Sequence, residues 1–323
     1  VSRERTVLIT DSRFDEQAER EAEVDELVVR NKQMARTVAL VCRALGHPKI
    51  GFTAANVAYA DGHALASALP GRSVMPCSQG VAERLRLRKG REEIRAISAA
   101  TRLAEESFER FTRELESGRT ERWLAARLEW EMKRRGAEAE AFDTICAVEE
   151  NASLPHAARS ERQLGPNSPL LVDWGARLEG YHSDLTRVVG TGTMPQLTVK
   201  LSEVVLRAQD AAFEKMGPGI SCGEVDGAAR KVIARCGYGD CFGHSLGHGV
   251  GLEVHEGPRL TAGNDQVLLP GMVVTVEPGI YVPGKSGVRI EDLVVITSGG
   301  YERVSSMSRK PHDQKDGPGR EEG

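Results

Sequence analysis

The stretch that decides the fold is Leu170-Leu171-Val172-Asp173-Trp174-Gly175-Ala176-Arg177-Leu178-Glu179-Gly180-Tyr181-His182-Ser183-Asp184-Leu185-Thr186-Arg187. An apolar run enters, Glu and Gly sit in the middle, and a second strand-like run leaves, which is the pattern of a β-hairpin. With the turn centred between Leu178 and Glu179, Asp173 falls directly opposite Asp184. Facing residues of an antiparallel pair carry Cβ atoms about 5 Å apart on one face, so two facing carboxylates repel. A cation between them converts that repulsion into coordination. Two acids on an exposed hairpin would need no such explanation. The flanks here, Leu170 to Val172 with Leu185, Val188 and Val189, are apolar and argue for burial.

The chain has 323 residues, enough for one large domain or two ordinary ones. Its 40% hydrophobic and 28% charged residues are the balance of a soluble globular protein. A net charge of −4 offers no basic surplus for nucleic acid or an anionic membrane. No apolar run reaches the roughly 18 residues of a transmembrane helix, and no signal peptide is visible. Six cysteines, none in a CxxC pair, read as reduced thiols of a cytoplasmic protein. The chain begins at Val1, close to the strand Thr6 to Thr10, so the front of a domain is expected to be missing.

Outward from the hairpin, the first stretch alternates strands and helices. Val7 to Thr10 and Lys49 to Phe52 read as strands; Glu16 to Glu26, Arg36 to Leu45 and Ala54 to Leu69 read as helices. No residue there stands out as catalytic, and a scaffold role is the simpler reading. Gly80 to Gly90 is a charged run leading into the second domain. Glu92 to Leu115 and Thr120 to Arg135 have helical spacing, with Gly136 as a C-cap, and Phe142 to Ala147 reads as a strand before the hairpin. Leu197 to Met216 and Gly223 to Cys236 form a second helix pair, followed by strands Val273 to Glu277 and Val288 to Ile296. Two helices then strands, twice over, is a weak internal repeat of element order. The expected domains are 1–87, an incomplete α/β domain; 88–305, carrying the chemistry; and a polar, disordered tail over 306–323.

Gly243 to Glu256 holds His244, His248 and His255. His244 and His248 are spaced for one helix face, but Gly243, Gly247, Gly249 and Gly251 argue for a loop or strand pressed against something. A Gly-rich surface loop with solvated histidines is the competing reading. Glu277 and Glu291 form a second acid pair whose midpoint is Gly284, so they too can face each other, and Arg289 shares a strand face with Glu291. Core-type residues, Val273, Val274, Val276, Ile290, Val294 and Val295, surround these acids, and buried acids need partners or a metal. Carboxylates with imidazoles suit Mn²⁺, Co²⁺ or Zn²⁺, and four acids exceed what one ion needs. Two divalent ions bridged by carboxylates activate water, which points to hydrolysis of a polar bond.

With these residues in order, 88–305 resembles the pita-bread metallopeptidases, an α+β fold with a pseudo-two-fold repeat, closest to the Xaa-Pro aminopeptidase (aminopeptidase P) and Xaa-Pro dipeptidase (prolidase) branch. The motifs are Ala141-Phe142-Asp143-Thr144-Ile145, Leu154-Pro155-His156, Val172 to Ala176, Ser183 to Arg187, His244 to Pro258, Val276-Glu277-Pro278-Gly279 and Arg289-Ile290-Glu291-Asp292. The start, Leu8 to Phe14, resembles part of that group's N-terminal domain. The resemblance implies two divalent ions, manganese first and cobalt or zinc next. Its five implied ligands are Asp173, Asp184, His248, Glu277 and Glu291, with Asp184 and Glu291 bridging. It implies that Glu277 takes the proton of an attacking, metal-bridging hydroxide, that His255 and Arg289 lie near the scissile peptide, that His156 serves substrate binding and proton shuttling, and that His244 lies by the proline-side pocket. It also implies a homodimer acting on peptides with proline second. The expected activity is an Xaa-Pro aminopeptidase, with Xaa-Pro dipeptidase as the alternative. A methionine aminopeptidase fits less well because of Arg289, His244 and the first domain. A catalytically silent relative such as creatinase lacks the ligands that this chain keeps.

Overall fold

The computed structural model describes residues 1–313 except Arg3, Pro48, Ala55, Ser78, Gln79 and Pro311. Contacts divide the chain into two compact units, Val1–Arg84 and Leu85–Gly323.

The first unit is built from β1 (Val7–Asp11), α1 (Asp15–Glu21), β2 (Glu26–Arg30), α2 (Met34–Ala44), β3 (Lys49–Thr53), α3 (Tyr59–Ala68) and β4 (Ser73–Cys77); α4 (Val81–Arg86) runs across the division, its last two residues belonging to the second unit. β1 pairs with β2 and β3 with β4, both in parallel. Two strands were not expected. Glu26-Leu27-Val28-Val29-Arg30 is a short apolar run between charges, and Ser73 to Cys77 contains Pro76, a poor member of a central strand. The helix expected from Ala54 begins only at Tyr59.

The second unit follows the helix-pair-then-strands order twice. The first half holds α5 (Arg91–Arg113), α6 (Glu121–Arg134), β5 (Ala139–Glu140), β6 (Ile145–Val148), β7 (Pro169–Trp174), β8 (Ala176–Leu178), β9 (Tyr181–His182) and β10 (Leu185–Gly190). The second holds α7 (Gln196–Lys215), α8 (Cys222–Arg235), β11 (Gly247–Gly249), β12 (Glu256–Leu260), β13 (Val273–Val276), β14 (Gly279–Val282), β15 (Ser286–Arg289), β16 (Asp292–Thr297) and β17 (Gly300–Arg303); a short β18 (His312–Asp313) follows. The sheets run β18-β10-β7-β6 and β12-β11-β13-β16-β17, with smaller sheets β5-β8-β9 and β14-β15.

Local chemistry starts the helices where the sequence marks them. Thr120 Oγ1 accepts from the Trp123 N–H at the head of α6, and Ser221 with Glu224 forms a capping box on α8. The apolar faces of α5 and α6 then close on β6, β7 and β10 through Leu103, Phe108, Leu124, Leu128, Leu170 and Val172. α7 and α8 close the other core with Leu201, Val205, Val225, Ile233, Val274 and Val294. Trp174 belongs to the first core: it stacks on Phe108 with ring centroids 4.0 Å apart and donates from Nε1 to the Ala104 carbonyl.

The hairpin register differs from the expected one. Its turn is Glu179-Gly180, with φ of 51° and 77° at those two residues, as a two-residue primed turn requires. Leu178 therefore pairs with Tyr181, and Asp173 stands opposite Thr186 rather than Asp184. Moving the turn centre by one residue shifts each pair by two, so the strand faces are kept. The strands are pressed together at Gly175, where a Cβ would lie 2.0 Å from the Ser183 carbonyl oxygen. In the other hairpin, Val276 pairs with Asp292 and Gly279 with Arg289, a register that sets Glu277 against Glu291 as expected.

The described part of the 306–323 tail is pinned to the body. The Ser306 and Met307 N–H groups both donate to Glu105 Oε1, at 2.6 and 2.8 Å. Residues 314–323, the rest of the stretch read as disordered, lie outside the described residues.

Candidate metal centre

Strand ends from both halves converge on the floor of a cleft of about 830 Å³. Asp173 comes from β7, Asp184 from the break before β10, His248 from β11, and Glu277 and Glu291 from the gaps that separate β13 from β14 and β15 from β16. The two halves are joined here by an isolated bridge in which the Glu291 N–H donates to the Thr186 carbonyl at 3.1 Å. Glycines on β11 allow this approach: a Cβ at Gly247 would lie 2.1 Å from the Thr275 carbonyl oxygen. The expected loop or strand is thus a strand, and His248 sits in its middle.

Three overlapping groups offer ligand atoms within 4.8 Å of one another: Asp173, Asp184 and Glu291; His248, Glu277 and Glu291; and Asp184, His248 and His255. Asp173, Asp184, His248 and Glu291 are buried and Glu277 nearly so. His248 donates from Nδ1 to the Gly249 carbonyl at 3.1 Å, which turns Nε2 toward Glu277 Oε1 at 3.3 Å and Asp184 Oδ2 at 3.5 Å. Asp173 Oδ1 is buried without a hydrogen-bond partner among the described residues. A buried carboxylate oxygen left bare is expensive, and a cation satisfies it. Hard oxygens with one imidazole are a donor set for Mn²⁺, Co²⁺ or Zn²⁺, so the residues fit divalent ions.

The electrostatics show the same crowding. Burial, and then the neighbouring acids, push Asp184 and Glu291 well above the usual carboxylate range. Burial also raises Asp173, against the pull of Arg289. Burial would raise Glu277 too, but the hydrogen bond and charge of His248 outweigh it and leave Glu277 lowered. His248 is raised, the Glu277 contacts overcoming its burial.

Around the acids runs a hydrogen-bonded ring that the sequence did not reveal. Arg289 donates from Nη2 to Asp173, from Nε to Thr186 Oγ1 and from Nη1 to the Tyr281 hydroxyl. Thr186 donates to Glu291 Oε2 at 2.6 Å, and Thr275 to Glu277 Oε1 at 3.1 Å. His244, whose pKa burial lowers, keeps its proton on Nδ1 for the Ser245 carbonyl, so Nε2 accepts from Tyr281 at 2.9 Å. His156 and His255 are exposed on the cleft wall, and the His255 ring meets His248 edge-on with centroids 4.3 Å apart. His255 is open to the cleft on one side only, and partial desolvation on the other, followed by the charge of His248, lowers its pKa and favours neutral imidazole. Arg259, on β12, also lines the cleft and has no ion pair among the described residues. Thr186, Thr275, Tyr281 and Arg259 escaped sequence reasoning because threonine, tyrosine and arginine on strands are commonplace. Only Thr186 carried a signal, its place two residues after Asp184 on the same face.

A buried gathering of acids fit for divalent ions, open to a cleft, defines a metallohydrolase. The chain belongs to Metallopeptidase family M24, which matches residues 95–298, and residues 1–88 match the Creatinase/Prolidase N-terminal domain. It is 43% identical to an Xaa-Pro dipeptidase of Pyrococcus furiosus over 226 residues, which are 70% of this chain and 65% of that one. Among solved structures, an Xaa-Pro dipeptidase from Bacillus anthracis aligns with a TM-score of 0.93 and 36% identity, covering 97% of this chain and 88% of that one. An X-Pro aminopeptidase from Thermotoga maritima aligns with a TM-score of 0.88 and 34% identity, over 97% and 89%. The protein has the pita-bread fold preceded by the N-terminal domain, and it is a metallopeptidase. No helix among the described residues is long and apolar enough to cross a membrane.

Proposed function

We propose that this metallopeptidase hydrolyses the bond between an N-terminal residue and a following proline, and that Xaa-Pro dipeptides are its preferred substrates. This moves the weight from the aminopeptidase expectation to its dipeptidase alternative. The names of the relatives at 40–43% identity favour that shift. Asp173, Asp184, His248, Glu277 and Glu291 would hold two divalent cations, manganese first, which supply an activated water and Lewis acidity when bound. The observation that carries the metal reading is the bare, buried Oδ1 of Asp173 among three further acids.

Each remaining side chain then has a task. Glu277, kept ionised by His248, accepts the proton of the attacking water and passes it to the proline nitrogen. His255 and His156 present N–H groups from the cleft wall to the developing oxyanion. Arg289 fixes Asp173, and His244, held by Tyr281, borders the proline side. Among the described residues, Arg259 is the cleft-lining cation without an ion pair, and it suits the free carboxylate that a dipeptide carries beside its scissile bond. Six free cysteines fit a cytoplasmic setting, and we retain the homodimer as a proposal.

The deciding experiment is hydrolysis of an Xaa-Pro dipeptide and an Xaa-Pro-Xaa tripeptide side by side with Mn²⁺ added. Cleavage of the dipeptide alone supports the proposal, preference for the tripeptide returns the aminopeptidase reading, and cleavage of neither refutes both. Glu277→Gln should lower kcat by about 10²- to 10⁴-fold.

A further inference from the structure

Behind the acids, on the side away from the cleft, lies a fully buried polar cluster that the proposed chemistry does not use. Arg187 is 3% exposed, Asp292 and Gln209 0%. Arg187 Nη2 donates to Asp292 Oδ1 at 2.8 Å, and its Nη1 to the Thr186 and Glu291 carbonyls at 2.9 and 2.5 Å. Gln209, from α7, shares its two Nε2 protons among Asp292 Oδ2 at 3.0 Å and the Val276 and Ile290 carbonyls at 2.9 and 3.2 Å. Those two carbonyls belong to the peptide bonds that enter Glu277 and Glu291. The cluster therefore grips the backbone on both sides of Glu291 and immediately before Glu277.

The same cluster is keyed by the strap Ser305 to Arg309. Ser305 Oγ donates to Asp292 Oδ1 at 2.6 Å, Arg187 Nε donates to the Ser308 carbonyl at 2.8 Å, and Arg309 Nη1 donates to Gln209 Oε1 at 3.0 Å. That last bond fixes which way the Gln209 amide points, since Oε1 must face Arg309 and Nε2 the carbonyls. Glu105 of α5 holds the strap from outside through Ser306 and Met307.

We propose that Arg187, Asp292 and Gln209, locked by the 305–309 strap, form a positioning device that sets the spacing of Glu277 and Glu291 and so governs affinity for the divalent ions. These three are positioning residues: none reaches the cleft, and each acts through the backbone of an acid that does. The inference rests on Glu277 and Glu291 as metal ligands. Buried polar networks of this kind are rigid only when complete, so removing one member loosens the rest.

The test is Mn²⁺ binding to the full chain, read by titration calorimetry, for wild type, Asp292→Asn, Gln209→Leu and Ser305→Ala. Circular dichroism and melting of the metal-free forms run beside it. Folded Asp292→Asn and Gln209→Leu should bind Mn²⁺ about tenfold more weakly at a temperature where circular dichroism shows their metal-free forms fully folded, a condition in which lost stability alone leaves metal affinity unchanged. Wild-type affinity in either folded variant overturns the proposal. Should both fail to fold, Ser305→Ala decides: about threefold or greater weakening supports the device, and unchanged affinity overturns it. Wild-type protein that binds no Mn²⁺ would sink the metal reading itself, a separate failure from variants that bind as well as wild type.

Discussion

Arg289 reaches 116 residues back along the chain to Asp173, its Nη2 lying 2.5 Å from Oδ2. Both are buried, and Oδ1 of the same carboxylate has no hydrogen-bond partner among the described residues. One oxygen is thus committed to the protein and the other is free for an ion. The guanidinium needs all its nitrogens, because Nε holds Thr186 and Nη1 holds Tyr281. A lysine has the charge without the fork. Arg289→Lys is expected to lower kcat/KM by about a hundredfold in the Mn²⁺-supplemented enzyme, measured by steady-state hydrolysis of an Xaa-Pro dipeptide. Activity within threefold of wild type would remove Arg289 from the site's machinery.

Arg259 gives the dipeptide preference its own test. If the cation takes the substrate carboxylate, Arg259→Ala should raise KM for an Xaa-Pro dipeptide, by roughly one to two orders of magnitude for a lost charge-assisted pair of about 1.5–3 kcal/mol. The same variant should leave the Xaa-Pro amide, which lacks the carboxylate, unchanged. Equal losses on both substrates would assign Arg259 to structure instead.

Metal removal should act more strongly at higher pH. In the metal-free fold Asp184 and Glu291 hold their protons more tightly than in the unfolded chain, because burial and neighbouring acids raise their pKa. Their contribution to stability is full below the unfolded carboxylate value of about 4 and is lost as pH rises through the raised values. Bound cations displace those protons and stabilise the folded state. The gap in Tm between Mn²⁺-loaded and chelator-treated protein should therefore widen from pH 5 to pH 8. Calorimetric scans showing a constant or shrinking gap would contradict the crowded-acid picture.

A buried ion pair braces the segment beside His255. Lys89 Nζ lies 2.5 Å and Arg86 Nη2 2.6 Å from the carboxylate of Glu256, whose side chain is 7% exposed, while that of Lys89 is 2% exposed. Burial lowers the Lys89 pKa, and Glu256 opposes that shift. Lys89→Met is expected to destabilise the protein by up to about 3 kcal/mol, since it strands part of a buried charge. Urea unfolding of the metal-loaded protein measures it, and a change below about 0.5 kcal/mol would show that Arg86 alone suffices.

Much of the second unit was legible in the chain. Helical spacing placed α5 to α8 within a few residues of their ends, because an amphipathic period is a local property. The acids declared themselves by sitting among valines and leucines, where a charge needs a partner. The first unit was less legible: β2 is bounded by charges that continue the charged run before it, and β4 contains proline, which argues against a strand.

Sequence by itself determined which residues are acidic, which segments are apolar, and that Asp173 and Asp184 share one face of a strand pair. The pairing of Glu277 with Glu291 followed from the glycines and prolines between them. Tertiary structure alone decided that Asp173 faces Thr186, since positive φ at Glu179 and Gly180 is chosen by how the strands pack. It alone brought the two acid pairs together, and set Arg187, Asp292 and Gln209 behind them. The reason is physical: periodicity and turn chemistry act over a few residues, whereas these contacts join residues about a hundred apart and exist only once both cores have closed.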